Sequence, residues 1–226
     1  MTDCRCRRLC LDSLHTDLYG ITDESLSGGR SNVDVVREMI AAGLRVIQYR
    51  EKFKSAREKY EECLAIRDVT RRAGVTFIVN DNLDIAVLCK ADGVHLGQSD
   101  LPYAVAREFV GPEMIIGVST QSPSEAAEAV AQGADYIGVG PIFFTATKKD
   151  IGTPVGLSFM KYVSETYPDL PHVAIGGIKE VNLREVVASG ARCCCLISDL
   201  LQSPNLVEKV KTLRQIIMEE QEKSGR

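Results

Sequence analysis

At 226 residues, with 45% apolar and 26% charged side chains, the chain can bury one large core and is too evenly mixed to be disordered or fibrous. A net charge of −4 argues against a nucleic-acid partner, whose protein footprint is basic. Any polyanion must therefore meet basic residues gathered in one pocket.

The first 17 residues carry Arg5, Arg7, Arg8 and three cysteines (Cys4, Cys6, Cys10) but lack the apolar run of a signal peptide. They read as a flexible tail ahead of one domain spanning 18–226. Beyond them, short apolar runs alternate with helical patterns. Strands are expected at Leu18–Ile21, Val46–Tyr49, Phe77–Val79, Val94–Leu96, Ile115–Val118, Tyr136–Val139, His172–Ile175 and Cys193–Ile197. Nearly all their residues are apolar, as in parallel strands covered on both faces. Between them, Ser31 or Asn32 caps a helix with Val33, Val36, Met39 and Ile40 on one face, and Gly43 stops it. Ser122-Pro123-Ser124-Glu125 is a capping box with proline at the first helical position, and its helix ends at Gly133. The same glycine ending is expected at Gly74, Gly93 and Gly190. Eight βα units without a linker favour a closed α/β barrel, a (β/α)8 TIM barrel, over an open doubly wound sheet. Against a dinucleotide fold, Gly138-Val139-Gly140 runs on into Pro141 rather than a third glycine of the fingerprint.

Cysteine usage implies neither disulfides nor zinc. The eight cysteines include no CxxC pair, and Cys193, Cys194 and Cys195 lie in one extended segment that cannot present tetrahedral ligands. Free thiols of this kind fit a reducing compartment. No apolar stretch approaches the ~20 residues of a membrane span, so the expectation is a soluble, cytoplasmic protein without a membrane partner.

In a barrel the chemistry follows the C-terminal ends of the strands. After the second strand, alternation puts Gln48, Arg50 and Lys52 on one face and Tyr49 and Glu51 on the other, a grouping that suits a diphosphate. Asn80 and Asp81 follow the third strand, and Gly97, Gln98, Ser99 and Asp100 the fourth. Two carboxylates from neighbouring strand ends can share Mg²⁺, which takes one or two carboxylates plus water and substrate phosphates. The rival assignment, a general acid and base acting on a glycoside, fits poorly among Arg50, Lys52 and Lys148. Asp84 and Asp92 look structural. Ser119 and Thr120 follow the fifth strand. The long segment after the sixth carries Thr145, Thr147, Lys148 and Lys149 and reads as a mobile, phosphate-binding lid. Gly176 and Gly177 follow the seventh strand and Ser198 the eighth, where such barrels bind phosphate through backbone amides. Of the histidines, His15, His95 and His172, none follows a strand end, so His95 and His172 read as core or rim residues. With no nucleophile-and-base set in view, the chemistry looks electrophilic: a diphosphate leaves and a second bound substrate attacks.

These residues resemble the thiamin phosphate synthase (thiamin-phosphate pyrophosphorylase) family. The matching stretches are Leu18–Asp23, Gln48–Lys52, Val79–Leu83, Ala91–Asp100, Gly117–Ser122, Gly133–Asp150, Ala174–Ile178 and Ile197–Ser198. The runs from Gly93 to Asp100 and from Gly140 to Asp150 are the specific ones. The resemblance implies thiamin biosynthesis and Mg²⁺-dependent transfer of an aminopyrimidine methylene from its diphosphate to the nitrogen of a thiazole phosphate. The products are thiamin phosphate and pyrophosphate. It further implies that Gln48, Arg50, Lys52, Asn80, Ser119 and Lys148 hold the aminopyrimidine diphosphate, with Arg50, Lys52, Ser119 and Lys148 catalytic. Asp81 and Asp100 would hold Mg²⁺, and Thr145, Thr147, Gly177, Ile197 and Ser198 the thiazole phosphate. A homo-oligomer is compatible with the sequence but not fixed by it.

Two positions depart from the family pattern: Phe144 stands where proline is usual, and Gln121 where histidine is frequent. The alternatives are a thiazole tautomerase-like paralogue and a non-catalytic ligand-binding barrel. The paralogue typically lacks the aspartate matching Asp100 and uses histidine at the Gln121 position, and a binding module needs no Mg-diphosphate site; both points favour the synthase.

Overall fold

The structure, a computed structural model, describes residues 12–145, 147 and 152–223. It contains eight parallel strands in sequential order: β1 (Gly20–Ile21), β2 (Val46–Tyr49), β3 (Thr76–Asn80), β4 (Gly93–Leu96), β5 (Ile115–Thr120), β6 (Tyr136–Val139), β7 (His172–Ile175) and β8 (Cys193–Cys195). A bridge between Leu18 and Cys194 joins the last strand to the first, with Tyr19 N donating to Cys194 O at 3.1 Å and Cys194 N to Asp17 O at 2.9 Å. The expected barrel is therefore closed through this bridge.

Helices alternate with the strands: α1 (Asn32–Ala41), α2 (Ala56–Ala73), α3 (Leu83–Leu88), α4 (Tyr103–Val110), α5 (Pro123–Gln132), α6 (Gly156–Thr166) and α7 (Leu183–Ala188), then α8 (Ile197–Leu201) and α9 (Leu206–Lys223). Ser31, not Asn32, caps α1, and Ser122 caps α5 by accepting from Glu125 N. In that box the Glu125 carboxylate reaches past the cap to Gln121 N at 2.7 Å. The left-handed ending is present at Gly74 and Gly133. Gly93 is different: it is the first residue of β4, and Lys90 takes the positive φ after α3. Gly93 is glycine for space, because a Cβ there would come within 2.8 Å of Ile78 and Ile115. The eighth strand is also shorter than expected. It ends at Cys195, and Ile197 opens α8.

Two apolar layers follow from strand alternation. Ile47, Phe77, Val79, Val94, Ile116, Ile137 and Ala174 point outward into the layer between strands and helices. Tyr19, Ile21, Val46, Ile78, Ile115, Tyr136, Val173, Cys193 and Cys195 point into the barrel. The cysteine run is thus divided between the layers, and burial pushes the Cys194 thiol up to about 12, which keeps it protonated and inert. Ser13 and Leu14, within the expected tail, are buried under the barrel, where the Ser13 and Thr76 hydroxyls meet at 2.5 Å. Cys4, Cys6 and Cys10 lie outside the described residues. Among the described residues no helix is long and apolar enough to cross a membrane.

One polar device recurs at the foot of the barrel. Asp92, just before β4, receives a guanidinium fork from Arg67 of α2 at 2.8 and 2.9 Å and accepts from Phe77 N. Asp135, before β6, accepts from Arg107 Nη2 of α4 at 2.9 Å and from Ile116 N at 2.8 Å. Asp17, before β1, pairs with Arg214 of α9 and accepts from Leu18 N. Each carboxylate locks a strand start to a helix, so strand register, and with it the height at which each strand end reaches the mouth, is held from below. Removing one partner of such a largely buried pair leaves the other charge stranded. Asp92→Ala is expected to destabilise the barrel by about 3 kcal/mol, read from the urea midpoint, with kcat unchanged well below the melting temperature.

Candidate active site

At the C-terminal end of β2, alternation acts as expected. Tyr49 points out and donates to Glu62 of α2 at 2.6 Å, and Glu51 accepts from Glu24 N and Asn32 Nδ2, each at 2.9 Å. Gln48 points into the barrel, Arg50 pairs with Asp23 at 3.3 Å, and Lys52 reaches Asp81 at 2.5 Å. Thr22 and Asp23, which the sequence analysis passed over, thus shape this wall: Thr22 Oγ1 accepts from Arg50 N at 3.1 Å.

Asp81 follows β3 directly with φ 61, a left-handed conformation that few non-glycine residues adopt. Its amide donates to His95 O at 2.9 Å, which fixes the turn. Asp100 is folded back by Gly97 N, which donates to its carboxylate at 2.6 Å. The two carboxylates lie close enough to shift each other. Burial pushes Asp81 up, but the Lys52 ammonium outweighs it and holds Asp81 below its ordinary range. Burial and the Asp81 charge raise Asp100, against the pull of Gly97 N. Asn80 ends β3 beside them, in register with His95.

Ser119, near the end of β5, is half-buried at the mouth. Gln98 donates to its carbonyl at 2.6 Å, and its hydroxyl lies 2.9 Å from His95 Nε2. This last contact was missed. A serine and an imidazole at that distance have the spacing of a nucleophile-and-base pair, but the spacing alone assigns neither role. The signal was available: alternation places His95 on the same inward side as Gly93. Behind it, His95 Nδ1 meets Tyr136 OH at 2.9 Å. His172 behaves as expected. It is buried at the start of β7, and burial lowers its pKa.

The opposite wall is made by the segments after β6, β7 and β8. Ile142 N and Phe143 N donate to Ile175 O and Gly176 O, each at 2.9 Å, which lays the chain across the glycine pair. A Cβ on Gly177, at φ +64, would lie 2.5 Å from Phe144 O. Thr145 Oγ1 accepts from Thr147 N at 3.2 Å and contacts the Thr147 hydroxyl. Lys148 and Lys149 lie outside the described residues. Phe144 is 84% exposed, so the residue that replaces the usual proline perturbs no packing. Ile197 and Ser198 sit in the first turn of α8, and Asp199 ties that turn to the β7 segment by accepting from Glu180 N at 3.0 Å.

A cavity of about 590 Å³ lies off the barrel axis, between the β1–α1 segment and the α8–α9 turn. Its Arg30 is already paired with Glu38 and the carbonyls of Ser27 and Leu201, so it offers no free cation to an anion. The mouth is where unlike groups converge: two neighbouring carboxylates and two cations on one side, and a glycine- and hydroxyl-rich cradle on the other. Among the described residues no group of three or more His, Cys, Asp or Glu side chains could form an all-protein metal cage. Two carboxylates from adjacent strand ends suit a hard ion that keeps part of its shell for water or phosphate.

The chain is similar to known proteins over most of its length. A family profile described as thiamine monophosphate synthase matches residues 18–200. A thiamine-phosphate synthase of Pelotomaculum thermopropionicum is 57% identical over 204 residues, covering 90% of this chain and 93% of the relative. One of Lawsonia intracellularis is 52% identical over 206 residues, covering 91% and 94%. The solved thiamine phosphate pyrophosphorylase of Pyrococcus furiosus superposes with a TM-score of 0.82 at 37% identity, covering 92% of this chain and 98% of that one.

The tight approach at Gly177 can be tested directly. Gly177→Ala combines a left-handed φ with a backbone clash and is expected to lower stability by about 1–2 kcal/mol or more. Urea unfolding reads this loss, and a variant as stable as the parent would show that the segment after β6 does not rest on Gly177.

Proposed function

The chain belongs to the thiamine monophosphate synthase family, transferases that release pyrophosphate, and from the geometry of its mouth, with family resemblance for Lys148, we propose how its residues divide the work. Gln48, Asn80 and Ser119 hold the aminopyrimidine, and Arg50, Lys52 and Lys148 its diphosphate. Thr145, Thr147, Gly177, Ile197 and Ser198 hold the thiazole phosphate on the opposite wall. Asp81 and Asp100 hold Mg²⁺.

The observation that carries this reading is the Lys52–Asp81–Asp100 cluster. Lys52 pairs with Asp81 at 2.5 Å and holds it low, while burial and the nearby Asp81 charge raise Asp100. Asp81 and Asp100 would hold a divalent cation, which would supply charge to neutralise a departing diphosphate. Lys52, beside Arg50, would then be available to a diphosphate oxygen.

The remaining steps belong to the substrates. As the carbon–oxygen bond at the pyrimidine methylene breaks, its electron pair leaves with pyrophosphate, and Arg50, Lys52 and Lys148 hold the charge that develops there. The methylene cation is captured by the thiazole nitrogen, which its own anchored phosphate brings within reach. The two-walled mouth thus works by placement and electrostatics, and a covalent protein intermediate is not required.

The experiment follows pyrophosphate release from purified protein with the aminopyrimidine diphosphate and the thiazole phosphate. Release is expected to need both substrates and Mg²⁺. Asp81→Asn and Asp100→Asn should each lower kcat/KM by about 100-fold or more and raise the Mg²⁺ concentration for half-activity. Turnover indifferent to Mg²⁺ or to both substitutions would refute the metal assignment.

A further inference from the structure

The barrel interior is not wholly apolar near the mouth. A continuous file of hydrogen bonds crosses it: Gln48 Nε2 to Tyr19 OH at 3.0 Å, Tyr19 OH to Tyr136 OH at 2.8 Å, Tyr136 OH to His95 Nδ1 at 2.9 Å, and His95 Nε2 to Ser119 Oγ at 2.9 Å. The file connects side chains from β2, the residue before β1, β6, β4 and β5. A neighbouring strand omits a side chain to accommodate it: a Cβ on Gly117 would fall 2.1 Å from the Tyr136 ring.

The file has a direction. An amide nitrogen only donates, so Gln48 gives its proton to the Tyr19 oxygen. Each phenol has one proton, and burial pushes both phenols well above their ordinary values, so both stay neutral donors. Tyr19 is buried, and the reverse order would leave its proton without an acceptor in the file, so Tyr19 gives its proton to Tyr136 and Tyr136 gives its own to His95 Nδ1. An imidazole that accepts at Nδ1 carries its proton on Nε2. That proton meets Ser119 Oγ, which must accept, leaving the serine hydrogen to point elsewhere.

We propose that this one-way relay locks His95 in its Nε2–H form and turns the Ser119 hydroxyl outward as a hydrogen-bond donor to the substrate, making Tyr19, Tyr136 and His95 positioning residues for Ser119. The serine–imidazole pair is then not a nucleophile with its base, because the nitrogen facing the hydroxyl already carries a proton. Ser119 instead selects a substrate with an acceptor, such as a ring nitrogen, at that point and discriminates against one presenting an N–H. The donor half of the proposal rests on the reading that Ser119 contacts the aminopyrimidine; the tautomer half does not.

The two halves have separate tests. Imidazole ¹⁵N NMR of the substrate-free protein distinguishes protonated from bare ring nitrogens, and with three histidines in the chain a His95→Gln variant identifies the signal. The expected result is a protonated Nε2 and a bare Nδ1. A proton on Nδ1, in the neutral or the charged ring, would overturn the relay. In steady state, Tyr136→Phe should raise KM for the diphosphate substrate about tenfold, the worth of one hydrogen bond in a partly desolvated site, and should do little in a Ser119→Ala background. Equal effects in both backgrounds would show that Tyr136 does not act through Ser119. A Ser119→Ala enzyme with unchanged constants would overturn the substrate contact itself, and with it the donor half, whatever the NMR result.

Discussion

Asp81 and Asp100 reach the same point from the ends of adjacent strands, and two carboxylates so placed repel unless a cation stands between them. In the substrate-free protein Lys52 partly fills that role, at 2.5 Å from Asp81. Much of the mouth can be read as a response to this constraint. The turn after β3 accepts a left-handed Asp81, the turn after β4 folds Asp100 back onto Gly97 N, and the basic residues of β2 face the pair. On the proposed function, this arrangement is where a substrate carrying a metal and many negative oxygens would sit.

The fold supplies the precision this needs. Carboxylates at Asp17, Asp92 and Asp135 clamp strand starts to helices at the foot of the barrel. In a closed parallel barrel a register error at the foot becomes a misplaced side chain at the mouth. The two walls use different physics: side-chain charge on β2 to β4, close backbone approach and hydroxyls on β6 to β8. Such a division suits two anions of unequal charge, one leaving and one serving only as an anchor.

Much of this was legible in the residues. Apolar runs gave the strands, because parallel strands covered on both faces need nothing else, and alternation alone separated Gln48, Arg50 and Lys52 from Tyr49 and Glu51. Where the reading failed, local pattern and three-dimensional packing disagreed. Gly93 looked like a helix stop yet is needed for space against Ile78 and Ile115, a requirement set by residues far off in sequence. The apolar Leu196 and Ile197 looked like more strand, although the chain turns into α8 after Cys195. His95 looked like core because a histidine inside a strand has no local mark of its partners; Ser119 and Tyr136 are 24 and 41 residues away. Lys148 lies outside the described residues, so its role comes from family resemblance, and the Mg²⁺ assignment comes from that resemblance and the chemistry of Asp81 and Asp100.

The central claim is that Asp81 and Asp100 together hold the metal that accompanies the diphosphate. Its most direct test is anomalous diffraction from crystals grown with Mn²⁺ and pyrophosphate, with manganese replacing magnesium as the detectable ion. The account predicts one peak coordinated by both carboxylates, with pyrophosphate between it and Arg50 and Lys52, and Lys52 withdrawn from Asp81. A manganese peak coordinated by neither carboxylate, with Lys52 still paired to Asp81, would contradict it.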